Sequence, residues 1–306
     1  MNKKLVVFGS FFEDLCGRGP YIPKPGETLI GSSFTYGPGG KGSNQAIAAK
    51  RAGAKVTMIT KIGKDPYGKL MLELYKKEGI ITDHIFIDEN NATGIALILV
   101  DEQTAENTIL VVPGACGNIT KENVNSVKEV ISNSSLLMVQ LEVNIDATIN
   151  AIDIAYENKV EVILNPAPAQ KLSDEIYKKI NYITPNETEA ELLTGIKTDT
   201  IENIKKAAQY LYDKGVNNVI ITLGKYGVYV KTKEYEKIIK AYKVKAIDTT
   251  GAGDAFNGCL ATALLDGKNI MQAIKFANAG AALSVQKKGA APSMADINDI
   301  NLLLNS

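Results

Sequence analysis

The chain has no surplus of either charge: its 306 residues carry 34 lysines and arginines against 34 aspartates and glutamates. A general nucleic-acid surface or an anionic-membrane surface needs a basic excess, so the balance argues against both. Doublets such as Lys76-Lys77, Lys178-Lys179 and Lys205-Lys206 then read as solvated helix faces. Cysteine is scarce as well. Cys16, Cys116 and Cys259 are odd in number, far apart and without CxxC spacing, which argues against a disulfide framework and a zinc site and fits a reducing cytoplasm. The one histidine, His84, follows Thr82-Asp83 in a short extended segment with no partner nearby in sequence, and reads as a surface or satisfied side chain rather than a catalytic one. No stretch approaches the roughly 18 apolar residues of a membrane span. The start, MNKKLVVFGSFFED, superficially resembles a secretory leader, but its apolar run is short and broken by Gly9-Ser10 and Glu13-Asp14, so a buried first strand is the better reading. A soluble cytoplasmic protein is expected, with neither nucleic acid nor membrane as a partner. Repeats, low-complexity tracts and linkers are also missing, which points to a single domain over residues 1–306.

What is present is a rhythm. Leu5 to Phe8, Val56 to Ile62, Leu136 to Leu141, Val160 to Leu164, Tyr182 to Thr184 and Val219 to Leu223 are strand-like. Helical patterns near Pro66 to Glu78, Asp146 to Asn158, Glu187 to Thr194 and Ile201 to Lys214 separate them. This βαβ alternation predicts an α/β fold, a central mostly parallel sheet covered by helices on both faces, with ligands at the carboxyl ends of the strands. Two segments stand apart. Phe11 to Tyr36 holds too many glycines and prolines for a helix and only short extended pieces such as Thr28 to Ile30; Gly94 to Val100 and Thr108 to Val112 give two more strands.

Two glycine-rich stretches carry the chemistry. Asp248 to Gly258 reads DTTGAGDAFNG, and an apolar helical pattern starts straight after Gly251 and Gly253. The first amides of that helix make an anion site, and Asp254 sits inside it. A carboxylate there holds a negative ligand poorly but suits taking a proton from a hydroxyl about to attack a phosphoryl group, which predicts a kinase centre. The alternative is a tight turn capped by an aspartate. The second stretch, Gly37 to Gln45, reads GPGGKGSNQ and leads into a small-residue helical run, Ala46 to Ala52.

Together, GGKGSNQA and DTTGAGDAFNG resemble the two signature regions of the ribokinase-like (phosphofructokinase B) sugar kinases. Gln140-Leu141-Glu142, Asn165-Pro166-Ala167-Pro168-Ala169, Thr184 to Glu191 and Thr222-Leu223-Gly224 lie between them in the order and at about the spacing of bacterial ribokinases. The resemblance implies a ribokinase fold whose 11–36 and 94–112 segments form a small β lid over the sugar, often also a homodimer interface. It implies ATP and Mg²⁺ or another divalent cation, with Asp254 as general base and the amides of Gly251, Ala252 and Gly253 as anion hole. Sugar contacts fall on Asp14, Gly40, Lys41, Gly42, Asn44 and Glu142. The divalent ion and nucleotide fall on Asn186, Glu189, Thr222, Gly224, Lys225, Gly227, Gly253 and Asn278. Potassium falls on Asp248, the carbonyls of Thr250, Ser284, Lys287 and Gly289, and the Ser293 hydroxyl. For Asn186 and Glu189, an acidic first turn of a helix is the competing reading.

The implied reaction is transfer from ATP to O5 of D-ribose. Phe12 stands where ribokinases have an asparagine, and related kinases preferring 2-deoxyribose place an apolar residue there. Either Phe12 faces the sugar and favours 2-deoxyribose or another pentose or ketose, or its ring turns into the lid core or a dimer contact. Gly37, Gly39 and Gly42 also spell GxGxxG, but no first Rossmann strand precedes them and Lys61 stands near the acidic position. A Walker A loop fails because glycine follows Lys41. From another class, a non-catalytic sugar sensor on a kinase scaffold would have little reason to keep Asp254, its glycine loop, Asn186 and Glu189 together.

Overall fold

In the computed structural model, which describes residues 3–104 and 106–305, the first apolar run is a central strand, β1 (Lys4–Phe8). The chain continues as β2 (Phe12–Gly19), β3 (Ser33–Gly39), α1 (Lys41–Arg51), β4 (Lys55–Gly63), α2 (Pro66–Glu78), β5 (Ile81–Asp88), β6 (Ile95–Asp101) and β7 (Asn107–Val112). Then come α3 (Lys121–Ser126), α4 (Lys128–Ser132), β8 (Leu136–Val139), α5 (Ile145–Glu157), β9 (Glu161–Leu164), α6 (Asp174–Tyr177), β10 (Tyr182–Ile183), α7 (Glu187–Thr194) and α8 (Ile201–Asp213). The last part holds β11 (Asn218–Thr222), β12 (Val228–Lys231), β13 (Glu236–Ile239), α9 (Ala252–Leu265), α10 (Ile270–Ser284) and α11 (Ile297–Leu304).

A nine-stranded sheet runs in the order β13-β12-β11-β10-β9-β8-β1-β4-β5. It is parallel from β11 to β5, and only the β11-β12-β13 edge is antiparallel. Strands buried on both faces need apolar residues at every position, which explains the unbroken runs in the sequence. Along β1, Val6 and Phe8 pack into the layer carrying α5 and α8, while Leu5 and Val7 pack into the layer carrying α1, α2 and α9. A further cluster of Phe256, Leu260, Phe276 and Ile300 joins α9, α10 and α11 against β11 and β12.

The second sheet has four strands in the order β3-β2-β6-β7. Here the sequence expectation needs correcting. The glycine-rich 11–36 stretch holds regular strand: Gly17 and Gly19 lie within β2, the pairing with β3 runs on to Gly39, and Thr28 to Ile30 is irregular. Glycine weakens a strand interior without forbidding one, and the neighbouring strands supply the ladder. Cross-strand partners share a face. Asp14, Cys16 and Arg18 therefore look the same way as Ser33, Thr35, Ala96, Ile98 and Val100. The opposite face collects Phe34, Tyr36, Leu97, Leu99, Leu110 and Val112, all exposed.

Candidate active site

Where β1 lies beside β8, the chain's strand order reverses, the place at the carboxyl ends of the strands where open α/β sheets bind their ligands. Ser10 follows β1, Gln140 and Glu142 follow β8, Asn165 follows β9 and Thr184 follows β10. Over this edge lie α1 and α9, pressed together through small residues. A Cβ on Gly258 would stand 2.6 Å from Ala48 Cβ and from the Gln45 carbonyl, and Thr262 Oγ1 donates to Ala49 O at 3.1 Å. The small-residue run in the sequence is thus what lets two helices approach closely enough for side chains near their first turns to meet. The helix begins earlier than the sequence pattern suggests, at Lys41 instead of Ala46, so Asn44 and Gln45 belong to its first turns.

Both reach Asp254. Asn44 Nδ2 donates to Asp254 Oδ2 and Gln45 Nε2 donates to Oδ1, each at 3.0 Å. Asp254 lies in the first turn of α9, and Gly251 at the N-cap takes the left-handed conformation, φ 75°, open to glycine without strain. The Ala252 amide turns back to Thr249 O (3.2 Å) and that of Ala255 to Gly251 O (2.8 Å). Gly253 between them borders open space, where a Cβ would meet no atom within 4 Å. The sequence-predicted anion hole and base are therefore adjacent. Burial pushes the Asp254 carboxyl up, against the opposing pull of Lys41 and the two amide donors.

Lys41 stands among carboxylates. Asp254 beside it, with Glu142 and Glu189, raises its pKa in spite of burial. Glu142 accepts from Ser10 Oγ (2.5 Å) and the Lys41 amide (2.8 Å), yet burial still lifts it above the ordinary carboxylate range. Asp14 comes down from β2; burial and the nearby Glu142, Glu13 and Asp254 raise its pKa to about 7. Gly40 (φ 83°) makes the turn into α1. The Gly42 amide faces Ser10 Oγ at 3.3 Å, so that residue closes the loop against β1. Phe12 does not join this group: its ring is 1% exposed and packs with Phe8, Ile59, Cys116 and Ile119.

Asn186 and Glu189 form a reciprocal capping box on α7, Asn186 Oδ1 accepting from the Glu189 amide (2.8 Å) and Glu189 Oε2 from the Asn186 amide (2.9 Å). The helix-start reading is thus present in full. It also fixes Glu189 where it acts electrostatically on Lys41, leaving its second carboxylate oxygen without a capping duty. Thr222 ends β11 and bridges to Asn186, and Gly224, Lys225 and Gly227 form the loop that follows. Asn278 on α10 donates to Lys240 O at 3.3 Å. Among the described residues no three His, Cys, Asp or Glu side chains converge as a metal cage; a hard divalent ion held by few protein groups, water and phosphate oxygens fits such a donor set.

The two loops at 247–251 and 284–293 are joined by Asp248, whose carboxylate accepts from the amides of Thr250 and Gly289, both at 2.9 Å. Burial opposes its charge, but those amides outweigh burial and hold it below its usual range. Val285 O accepts from Ile247 and Asp248, Ser284 O from Lys287, and Ser293 Oγ donates to Ala290 O. Every candidate donor here is a neutral oxygen apart from Asp248, a set that fits a hard monovalent cation. Arg51 pins the second loop by donating to Ala291 O (3.1 Å) and Met294 O (3.0 Å). A cleft of about 730 Å³ runs between this loop pair and the small sheet, lined by Asp14, Cys16, Arg18, Asp248, Lys288 and Gly289 among others.

Sequence reasoning gave no role to Arg18 or Lys288, nor to Gln45, Gln140, Asn165, Thr184 and Asn257, which are buried around Asp254. A signal existed for some of them: Gln140 and Asn165 are amides placed directly after apolar strands, where a layer of ligands belongs. His84 lies half-buried on the edge strand β5, away from the crevice.

Residues 2–297 match the model of the pfkB family carbohydrate kinases. The chain is 47% identical to the ribokinase of Haemophilus influenzae over 294 residues, 96% of each chain. It is 38% identical to the deoxyribokinase of Salmonella typhi over 302 residues, 98% of each. Its structure resembles that of the Arabidopsis thaliana ribokinase complexed with ribose and ATP, with a TM-score of 0.94, 30% identity and coverage of 100% of both chains.

Proposed function

Because the chain belongs to the pfkB family of carbohydrate kinases and is a ribokinase-type sugar kinase, we propose that it transfers the γ-phosphoryl group of ATP to O5 of D-ribose, giving ribose 5-phosphate and ADP, with Asp254 as general base. The observation that carries this reading is the position of Asp254: a carboxylate in the first turn of α9, held by Asn44 and Gln45, with Lys41 beside it.

ATP bound with Mg²⁺ or another divalent cation supplies the phosphoryl group and neutralises part of its charge. The chain's residues do the rest. Asp14, Lys41, Asn44 and Glu142 orient the sugar hydroxyls, each of which both donates and accepts. Asp254 takes the proton from O5 as that oxygen attacks. Backbone amides of Gly251 and Gly253 and the α9 dipole stabilise the oxygens of the transferring group, the Ala252 amide being taken by Thr249 O, and Lys41 adds its charge. Asn186 and Glu189 would hold the divalent ion; Thr222, Gly224, Lys225, Gly227 and Asn278 would hold the nucleotide. Potassium between the 247–251 and 284–293 loops would hold the anion hole in shape through Asp248, Thr250, Ser284, Lys287, Gly289 and Ser293.

The small sheet acts as a lid on a single α/β domain, and its apolar outer face docks a second copy; exposed Phe34, Tyr36, Leu97, Leu99, Leu110 and Val112 support that. The cytoplasm is the expected compartment, and no helix among the described residues is long and apolar enough to cross a membrane. A second reading, 2-deoxyribose as the preferred sugar, would need Phe12 to face the sugar, and its ring is instead buried in the core cluster. The test is sugar-dependent ADP release with ribose, 2-deoxyribose and fructose, for the parent and Asp254→Asn. Loss of at least about 10³-fold in kcat with ADP affinity within threefold is expected; near-parental turnover in Asp254→Asn would eliminate the base assignment.

A further inference from the structure

Five polar side chains around Asp254, outside the proposed sugar and nucleotide contacts, form one buried chain. Gln140 Nε2 donates to Gln45 Oε1 (2.6 Å), and Gln45 Nε2 donates both to Asp254 Oδ1 and to Asn165 Oδ1 (3.0 Å each). Asn165 Nδ2 donates to Thr184 O (3.1 Å), Thr184 Oγ1 to Asn257 Oδ1 (2.6 Å), and Asn257 Nδ2 to Gly253 O (2.9 Å). The chain thus begins at the carboxyl end of β8, crosses those of β9 and β10, and ends on the backbone of the anion-hole loop. All five are buried, Gln45 and Gln140 at 0% exposure.

The donor inventory fixes the direction of this chain. An ionised carboxylate accepts only, so Gln45 must turn its NH₂ toward Asp254 and its Oε1 away. That Oε1 then needs a donor, which the Gln140 NH₂ provides. In consequence Gln140 Oε1 is left buried without a partner. Buried acceptors are normally satisfied, and a core built for stability alone would use an apolar residue at position 140. The unmet acceptor is the by-product of setting Gln45 one way round.

We propose that Gln45 is a positioning residue for phosphoryl transfer: oriented by Gln140 and Asn165, it fixes Asp254 Oδ1 so that Oδ2, shared with Asn44, is the oxygen offered to the sugar hydroxyl. This rests on Asp254 being the base. Gln45 also donates to the charged form of the carboxylate and so favours it. The charged groups facing Asp254 are Lys41 from α1, Asp14 from β2, Glu142 after β8 and Glu189 from α7. None of them is altered by a substitution at position 45.

The experiment is single-turnover phosphorylation at saturating sugar and ATP between pH 5 and 9 for the parent, Gln45→Met, Gln140→Met and Asp254→Asn. Methionine keeps the length and removes the donor. In Gln45→Met the rate at pH 7 is expected to fall about tenfold or more and the acidic limb to move up by about one pH unit, with sugar KM and ADP affinity within threefold. Gln140→Met should move the limb the same way by less, because Gln45 is then free to turn its carbonyl toward Asp254. A slower Gln45→Met enzyme with an unmoved acidic limb would reduce the residue to packing and overturn the proposal. Should Gln45→Met not fold, an unmoved limb in Gln140→Met overturns it equally. An active Asp254→Asn protein sinks the base assignment itself, whereas an inactive one beside a parent-like Gln45→Met sinks only the role of Gln45.

Discussion

Replacing Asp14 by asparagine should make the protein more stable at neutral pH while spoiling its affinity for sugar. Asp14 has a folded pKa of about 7 through burial and the charges of Glu142, Glu13 and Asp254, against roughly 3.9 for an unfolded aspartate. The folded state therefore keeps a proton that the unfolded chain has already released. The stabilisation from this group is fully present below about pH 4, declines as pH rises toward 7, and is lost beyond it. Three pKa units correspond to about 4 kcal/mol as an upper bound, and solvent screening of this partly exposed group brings the expected effect to about 2 kcal/mol. An asparagine side chain has no charge to lose or gain, so the stability of Asp14→Asn relative to the parent should grow by that amount between pH 4.5 and pH 8. Urea unfolding of both proteins at the two pH values, without sugar, measures it. The sugar KM of the variant should rise by roughly threefold to tenfold, since a hydrogen bond between neutral groups is worth about 0.5 to 1.5 kcal/mol. A stability difference that stays flat across that pH range would show that Asp14 is not held uncharged by its neighbours, and the electrostatic account of the crevice would be wrong.

Phe12→Asn should cost about 3 kcal/mol or more, because it removes a buried ring from the Phe8, Ile59 and Cys116 cluster and buries an amide in its place. The ratio of kcat/KM for ribose to that for 2-deoxyribose should stay within threefold; a tenfold rise would instead place position 12 against the sugar. Turnover should increase with K⁺ and fall when Na⁺ replaces it, and indifference to the cation would remove the potassium assignment from the Asp248 loop pair. Leu99→Asp with Leu110→Asp, on the exposed outer face of the small sheet, should convert a dimer to a monomer in light scattering; a parent that is already monomeric refutes the docked copy.

Much of this molecule was legible because its parallel strands are buried on both sides and so announce themselves as apolar runs. Helices α2 and α7 span the residues their patterns indicate, Pro66–Glu78 and Glu187–Thr194. Elsewhere local rules were overridden by partners distant in sequence. β2 holds two glycines in a strand that only its ladders to β3 and β6 sustain, and α1 starts at Lys41 because a left-handed Gly40 and the loop contacts to Ser10 launch it there. Of the candidate site, Asp254 could be picked out from its own surroundings, a carboxylate among glycines at a helix start, whereas Asp14, Lys41 and Glu142 were picked out only through the family resemblance. The site was not legible at Gln45, Asn165 and Asn257: a neutral amide has no periodicity and no charge, and its meaning is set by which carboxylate or backbone group tertiary packing brings within about 3 Å.

Asn186 and Glu189 show why a bland reading and a functional one need not compete. Their capping box satisfies amides that any helix start leaves open, and an acidic first turn would be favourable on α7 whatever the protein did. Yet the same bonds remove the rotamer freedom of a long acidic side chain and aim it toward Lys41, distant in sequence, where burial raises the carboxyl. Asp254 repeats the device at α9, a carboxylate at a helix N-terminus whose oxygens are taken up by Asn44 and Gln45 from another helix. Both helices thus present an acid at the positive end of a dipole, facing one lysine from two sides of a crevice. That geometry sets Lys41 among four buried or partly buried carboxylates, Asp14, Glu142, Glu189 and Asp254, all raised above their usual range. A cluster so acidic is costly to fold around, and bound sugar hydroxyls would offset part of that cost by donating to carboxylates that are otherwise short of partners.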